Sequence, residues 1–221
     1  MSIYTPKKIV LNWYQYDVGF SIELIKSFVL GVERQAADSI VDYRNTKKRG
    51  AHLGLDEDSW DLQEVFEEYF PTLQRRSALL TVWGFLEHEL DALCLLYQSE
   101  KGFKLAFSDL AGKGIDRSAT YLEKVAGLLG LKSSREWNAL KEIQNIRNLI
   151  AHNDGRLHDH QGKPKDAIVT CMKKLGFLSG EHELLIAEGF LSKVIDVCDS
   201  YFKRIADSID AAENISRTHR L

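Results

Sequence analysis

Proline is scarce. Only Pro6, Pro71 and Pro164 occur in 221 residues, so long helices can run without the missing N–H and the ring clash that proline brings. Cysteine is equally sparse: Cys94, Cys171 and Cys198 are odd in number and widely spaced. That spacing argues against a disulfide framework or a zinc cluster and for reduced thiols inside apolar helical runs. No uninterrupted apolar stretch approaches the roughly 20 residues a membrane-spanning helix needs, and no charged-then-apolar leader opens the chain. A cytoplasmic protein is expected. Positive charge is not in excess, since 29 Lys and Arg face 32 Asp and Glu for a net charge of −3. This balance excludes a positively coated binder of long duplex DNA, while a local basic groove stays compatible with it. Gly-rich phosphate loops, zinc-ligand spacings and nucleophile elbows are absent as well.

What is present is helical periodicity almost throughout, in a chain long enough for one domain with a sizeable core or a core plus an accessory layer. Between Gly19 and Tyr43 the residues Phe20, Leu24, Phe28 and Val32 recur at helical spacing. A polar connection, Arg44 to Asp58, follows; its acidic run Asp56-Glu57-Asp58 suits the start of a helix near Trp60. That short helix meets Pro71, which is tolerated in a first turn but would break or kink a helix running through it. The next helix, about Thr72 to Gln98, is the most hydrophobic, with Trp83, Glu87, Leu90 and Cys94 on one face. Glu87 is therefore either a carboxylate turned inward or one at the rim of the stripe. A helix from near Asp116 should stop at Gly130. Beyond a polar loop, Asn153 to Pro164, the residues 166–174 suit a helical turn or two. Short apolar runs on either side of Ser179-Gly180-Glu181-His182 admit a small β-hairpin near 177–186. A last amphipathic helix covers about Glu188 to Ala212. These elements predict an all-α, up-and-down helical bundle over 71–221 with a helical N-terminal extension over 1–70.

One segment argues for chemistry. Residues Arg147 to Asn153 read R-N-L-I-A-H-N at the end of a helix that Ser133 and Glu136 would open as a capping box. Asn153, Asp154 and Gly155 would close it. Trp137, Leu140, Ile143, Ile146, Ile150 and Ala151 gather on one averaged face, and Arg147 falls within that arc. A buried guanidinium needs an acidic partner or a cleft open to an anion, and Glu87 is the acid proposed for it. An ordinary structural ion pair explains the same arginine, and the helix dipole alone favours a histidine in the last turn. Asn148 and His152 are neighbours four apart. Arg147 and His152 are roughly 140° apart on an ideal helix, so they converge only if the arginine reaches across or the final turn loosens. Leu149 projects from the opposite, polar side and would suit a two-fold contact.

The string Arg147-Asn148-x-x-Ala151-His152 resembles the signature of the HEPN superfamily, in which an arginine, usually followed by a polar residue, precedes a histidine by four to six positions. The resemblance covers roughly residues 72–212 and extends to the upstream helix bearing Glu87. It implies a metal-independent endoribonuclease, of the kind used as toxins and in antiphage defence, acting on RNA as a homodimer with both signatures lining one cleft. On that basis Arg147, Asn148, His152 and Glu87 form the expected catalytic set, and Arg75, Arg76, Arg156 and Lys163 an expected RNA-binding surface. RNA supplies its own nucleophile, the 2′-hydroxyl, so an imidazole that exchanges protons near neutrality and a guanidinium that holds phosphate oxygens suffice. No cofactor is expected. His158, Asp159 and His160 lack further ligands at a recognisable spacing, so no metal site is expected either. An antitoxin or regulatory protein is a further expected partner. The alternative is a non-catalytic helical module that holds RNA, a nucleotide or another protein.

Overall fold

The computed structural model describes residues 13–48 and 61–218, and the expected helix-start charge at Asp56 to Asp58 lies outside them. The fold is all-α with one tiny sheet. A π-helical turn, Tyr14–Val18, leads directly into α1 (Gly19–Lys48); α2 (Leu62–Glu64) and a second π-helical turn, Val65–Tyr69, lead into α3 (Phe70–Lys101). Then come α4 (Gly114–Lys124), α5 (Arg135–Asn153), α6 (Asp166–Leu175), strands β1 (Leu178–Ser179) and β2 (Leu185–Ile186), and α7 (Phe190–Thr218). The strands pair antiparallel with Leu178 opposite Ile186, as the flanking apolar runs predict. Among the described residues no helix is long and apolar enough to cross a membrane.

Pro71 neither ends nor breaks its helix. The sequence gives it no N–H and a ring that collides with the carbonyl four residues back. Here the turn just before it widens, with the Phe70 N–H donating to the Val65 carbonyl five residues earlier. The extra residue in that turn relieves the clash. The side chain of Asp61 caps the start, accepting from the N–H groups of Gln63 and Glu64 at 3.1 Å each.

The described chain divides into two compact units, one of residues 13–24, 83–140 and 196–218, the other of residues 25–48, 61–82 and 141–195. The first is built on fully buried Trp83, Leu86, Leu90, Tyr121, Tyr201 and Phe202, with Trp13 set edge-on against Phe202 at 5.6 Å. Within it Asp91 pairs with Arg117 at 3.0 Å and accepts the Ser118 hydroxyl. The second unit buries Val29, Leu79, Val82, Ile143, Ile146, Leu149, Leu184 and Leu191, and stacks Phe66 on Tyr43 at 4.7 Å. Cys94, Cys171 and Cys198 are all free and buried.

Helix α1 forms as its periodicity predicts, but the side that packs inward is Ile22, Ile25, Val29, Ala36 and Tyr43. Phe20, Leu24 and Phe28 point to solvent. Both sides of this helix are apolar, so spacing alone could not choose between them.

Candidate functional site

The site is built on the last two turns of α5, in the second unit. The helix is opened by Ser134 rather than Ser133: the Ser134 hydroxyl accepts the Trp137 N–H at 3.0 Å and donates to Leu131. Ser133 instead donates to Gly130. Buried positions on α5 are Trp137, Leu140, Ile143, Ile146 and Leu149, spaced strictly by three. Each step of three falls about 60° short of a full turn, so the buried line winds around the helix. Averaging the pattern into one fixed arc therefore misplaces the residues at its end. Leu149 is only 3% exposed and belongs to the core, which corrects its expected place on a dimer contact. Ala151, expected inside, is exposed, and Ile150 is half-buried.

The same winding brings Arg147 partly to the surface. It is half-buried, and its Nη1 donates to the Oδ1 of Asn148 at 3.1 Å. His152, one turn further on, is exposed and makes no hydrogen bond or ion pair among the described residues. Asp154 closes the helix with φ of 51°, and the Gly155 N–H reaches back to the Leu149 carbonyl at 3.2 Å, a wider closure than an ordinary helical turn. Residues 147–153 themselves stay α-helical, so this closure lies beyond His152 and leaves the spacing of Arg147 and His152 that of a regular helix.

Glu87 lies in the first unit, where its Oε1 accepts the Trp83 indole N–H at 2.8 Å. It is half-buried, at the rim of the stripe. The same oxygen packs so closely on Gly114, at the start of α4, that a Cβ there would stand 2.5 Å from it. Gly114 also has φ of +54°, so glycine is required twice over.

The expected RNA-binding set splits in two. Arg75 and Arg76 are interior, which overturns their expected place on a phosphate surface. Arg75 pairs with Glu33 at 2.7 Å and donates to the Ile186 carbonyl at 3.1 Å. Arg76 donates through Nε to the Leu184 carbonyl at 3.2 Å, through Nη2 to the same oxygen, and through Nη1 to the Asp154 carbonyl at 3.3 Å. A guanidinium that satisfies main-chain carbonyls can be buried where a bare one could not. Arg76 so clamps the loop that leaves α5 beside His152, and Gly155 makes room for it: a Cβ at Gly155, φ +72°, would stand 2.7 Å from its Cζ.

Arg156 and Lys163, by contrast, are exposed. They lie on a hairpin-like excursion in which Arg156 bridges Glu183 and His158 bridges Pro164. The Asp159 carboxylate shapes its tip by accepting the N–H groups of Lys163 and Gln161, which hold it below the usual carboxylate range. Sequence spacing missed His182, whose ring lies 5.6 Å from that of His158; the two are too far apart in the chain for any periodicity to link them. Among the described residues no three or more His, Cys, Asp or Glu side chains gather as a metal would need.

One face of α5 is tied to α6. Glu142 accepts the Cys171 thiol at 2.6 Å and the Lys174 ammonium at 2.6 Å. The thiol first, then the ammonium, hold its carboxyl below the ordinary 4.5. A folded value below the unfolded one means that its contribution is complete above about pH 4.5 and fades as pH falls through the folded value. The Tm difference between wild type and Glu142→Gln should therefore be largest above that pH and close as the solution is acidified further.

Comparison with family models, curated proteins and solved structures returns no match to this chain. The chemistry of the site must be argued from its own residues. An exposed imidazole, a half-exposed guanidinium held by its neighbouring amide, and a basic excursion immediately downstream can together engage a polyanion and exchange a proton with it.

Proposed function

We propose that the chain is a metal-independent endoribonuclease of HEPN type, a toxin or antiphage defence effector whose partner protein restrains it. The observation that carries this reading is the placement of Arg147, Asn148 and His152 at one clamped helix end, with the arginine and asparagine bonded to each other and the histidine open to solvent. In the proposed reaction His152 takes the proton of a ribose 2′-hydroxyl as its oxygen attacks the adjacent phosphorus. The bond to the 5′-oxygen breaks, and that oxygen leaves with a proton from water. Arg147 holds the phosphate oxygens as they gain charge, an interaction stronger in the transition state than before it. Asn148 fixes the guanidinium, and Arg156 and Lys163 hold the strand downstream.

Purified protein incubated with total RNA should cut it equally well with and without chelator and leave 2′,3′-cyclic phosphate ends. Loss of cutting in chelator, or ends bearing a 3′-hydroxyl, would contradict the reading. A second reading is favoured by one observation: no side chain among the described residues orients His152 by a hydrogen bond. Under it the chain holds RNA without cutting it, and wild-type protein would retard RNA while leaving every phosphodiester intact.

A further inference from the structure

Among the described residues only Asp154 and Phe177 combine a side chain with positive φ, at 51° and 60°. For a bulky residue that region is an outlier, reached at a cost in steric strain. Burial explains little of it, since Phe177 is 49% exposed. Two glycines set the ring in place. Gly176, at φ +67°, turns the chain out of α6 just before it, and Gly189 lets it lie close, for a Cβ there would stand 3.1 Å from the ring Cε1. Lys193, whose ammonium donates to the Leu175 carbonyl, holds its charge 5.9 Å from the ring centroid.

The hairpin puts this ring on the same side as Arg156. Arg156 bridges Glu183, Ser179 pairs with Leu185, and the Ala187 N–H donates to the Phe177 carbonyl at 2.9 Å. Along residues 183–187 Leu184 and Ile186 are buried, whereas Glu183, Leu185 and Ala187 turn outward. Residues opposite one another in an antiparallel pair share a face. Arg156, Ser179 and Phe177 therefore lie on the outward side, and all three are exposed. Four residues of extended chain put about 13 Å between the arginine and the ring. All of these residues belong to the second unit, as does the end of α5.

We infer that Phe177 is a stacking platform for one unpaired base of a single-stranded RNA, a subsite that continues the strand path beyond Arg156. The inference rests on the nuclease reading and narrows its substrate to single strands. A base offers its flat π-face only outside a duplex, and an aromatic ring beside fixed cations is how proteins hold such strands without reading their sequence. Arg156 and Lys193 supply a cation at either end of the path for the phosphates. Charge favours this occupant. Glu183, the acid on the outward side, is engaged by Arg76 at 3.6 Å. The exposed acids Glu181 and Glu188, at the turn and exit of the hairpin, stand against the cations Arg156, Lys173 and Lys193. A protein partner would call for a contiguous apolar patch, whereas half-buried Leu185 is the other large apolar side chain on this side of the hairpin.

The probe is a fluorescently labelled 2′-deoxy strand of about ten adenines, which cannot be cut, beside an abasic strand with the same number of phosphates. Stacking of one base on an aromatic ring is worth about 5- to 150-fold in affinity. Phe177→Ala in the full chain should therefore weaken binding of the adenine strand by at least about fivefold and leave binding of the abasic strand unchanged. Phe177→Trp, which keeps an aromatic face, should bind the adenine strand at least as tightly as wild type and so separates lost stacking from lost folding. Three results would overturn the inference: equal affinity of wild type and Phe177→Ala for the adenine strand, in favour of a protein contact at the ring; an equal loss on the abasic strand; or no binding of the adenine strand by wild type at about 10⁻⁴ M. Cutting of total RNA tests the nuclease reading separately. The expected losses in a chain that leaves total RNA intact would uphold the subsite and contradict the cleavage alone.

Discussion

His152→Ala should lower RNA cleavage by about 10²- to 10⁴-fold, the range that a positioned proton-transfer group supplies, with Tm lowered by no more than about 1 °C. The stability half of this prediction follows from exposure: the imidazole contributes nothing to the core, and the turn that carries it is closed by main-chain bonds from Gly155 to Leu149 and Arg156 to Asn153. Only the favourable placement of a histidine at a helix C-terminus is lost, worth a few tenths of a kcal/mol when exposed. Arg147→Lys should keep the charge and lose the planar fork, so cleavage should fall far more than RNA retention. A rate unchanged in His152→Ala would remove the imidazole from the reaction.

The largest stability effect should come from the clamp. Arg76 is 3% exposed and satisfies the Leu184 and Asp154 carbonyls, with Glu183 at 3.6 Å adding a weaker ion pair. Arg76→Met keeps most of the apolar stem but leaves those carbonyls buried without their donor. The expected cost is about 3–5 kcal/mol, as for other broken buried charge networks. Gly155→Ala should cost about 2–3 kcal/mol through its left-handed backbone and the clash with Arg76. Because both changes act on the same close approach, their costs in denaturant unfolding should fall short of adding, by at least about 1 kcal/mol. Additive costs would show that Gly155 is needed for its backbone alone. The clamp also sets where α5 ends, so either variant should lose cleavage together with stability.

These two predictions rest on residues of unequal legibility. The end of α5 was readable, because Asn153, Asp154 and Gly155 are ordinary helix-stop chemistry and the chain does turn there with Asp154 and Gly155 at positive φ. The small hairpin was readable for the same local reason. The clamp was not: Arg76 reaches carbonyls 78 and 108 residues away in sequence, and no local pattern distinguishes a solubilising arginine from one that finds such acceptors. Helix α1 shows a different limit. Its existence follows from spacing, but two apolar sides leave the inward one undetermined until the rest of the fold is in place. Leu149 fails for a third reason, since a buried line that winds by steps of three cannot be captured by a single averaged direction. Pro71 was readable in part: it falls in the first turn of α3, where proline is tolerated, and the π-turn before it joins that helix to the one upstream.

The central claim is that Arg147 and His152 grip the same RNA strand. A 2′-deoxy oligonucleotide has no attacking hydroxyl, so it can bind at the site without being cut, and NMR can follow the Arg147 side-chain Nε–Hε and the His152 ring as it is added. Both resonances should shift and saturate together with one dissociation constant. A titration that moves the Arg147 signal and leaves His152 still, or moves neither while RNA is bound elsewhere, would contradict the account.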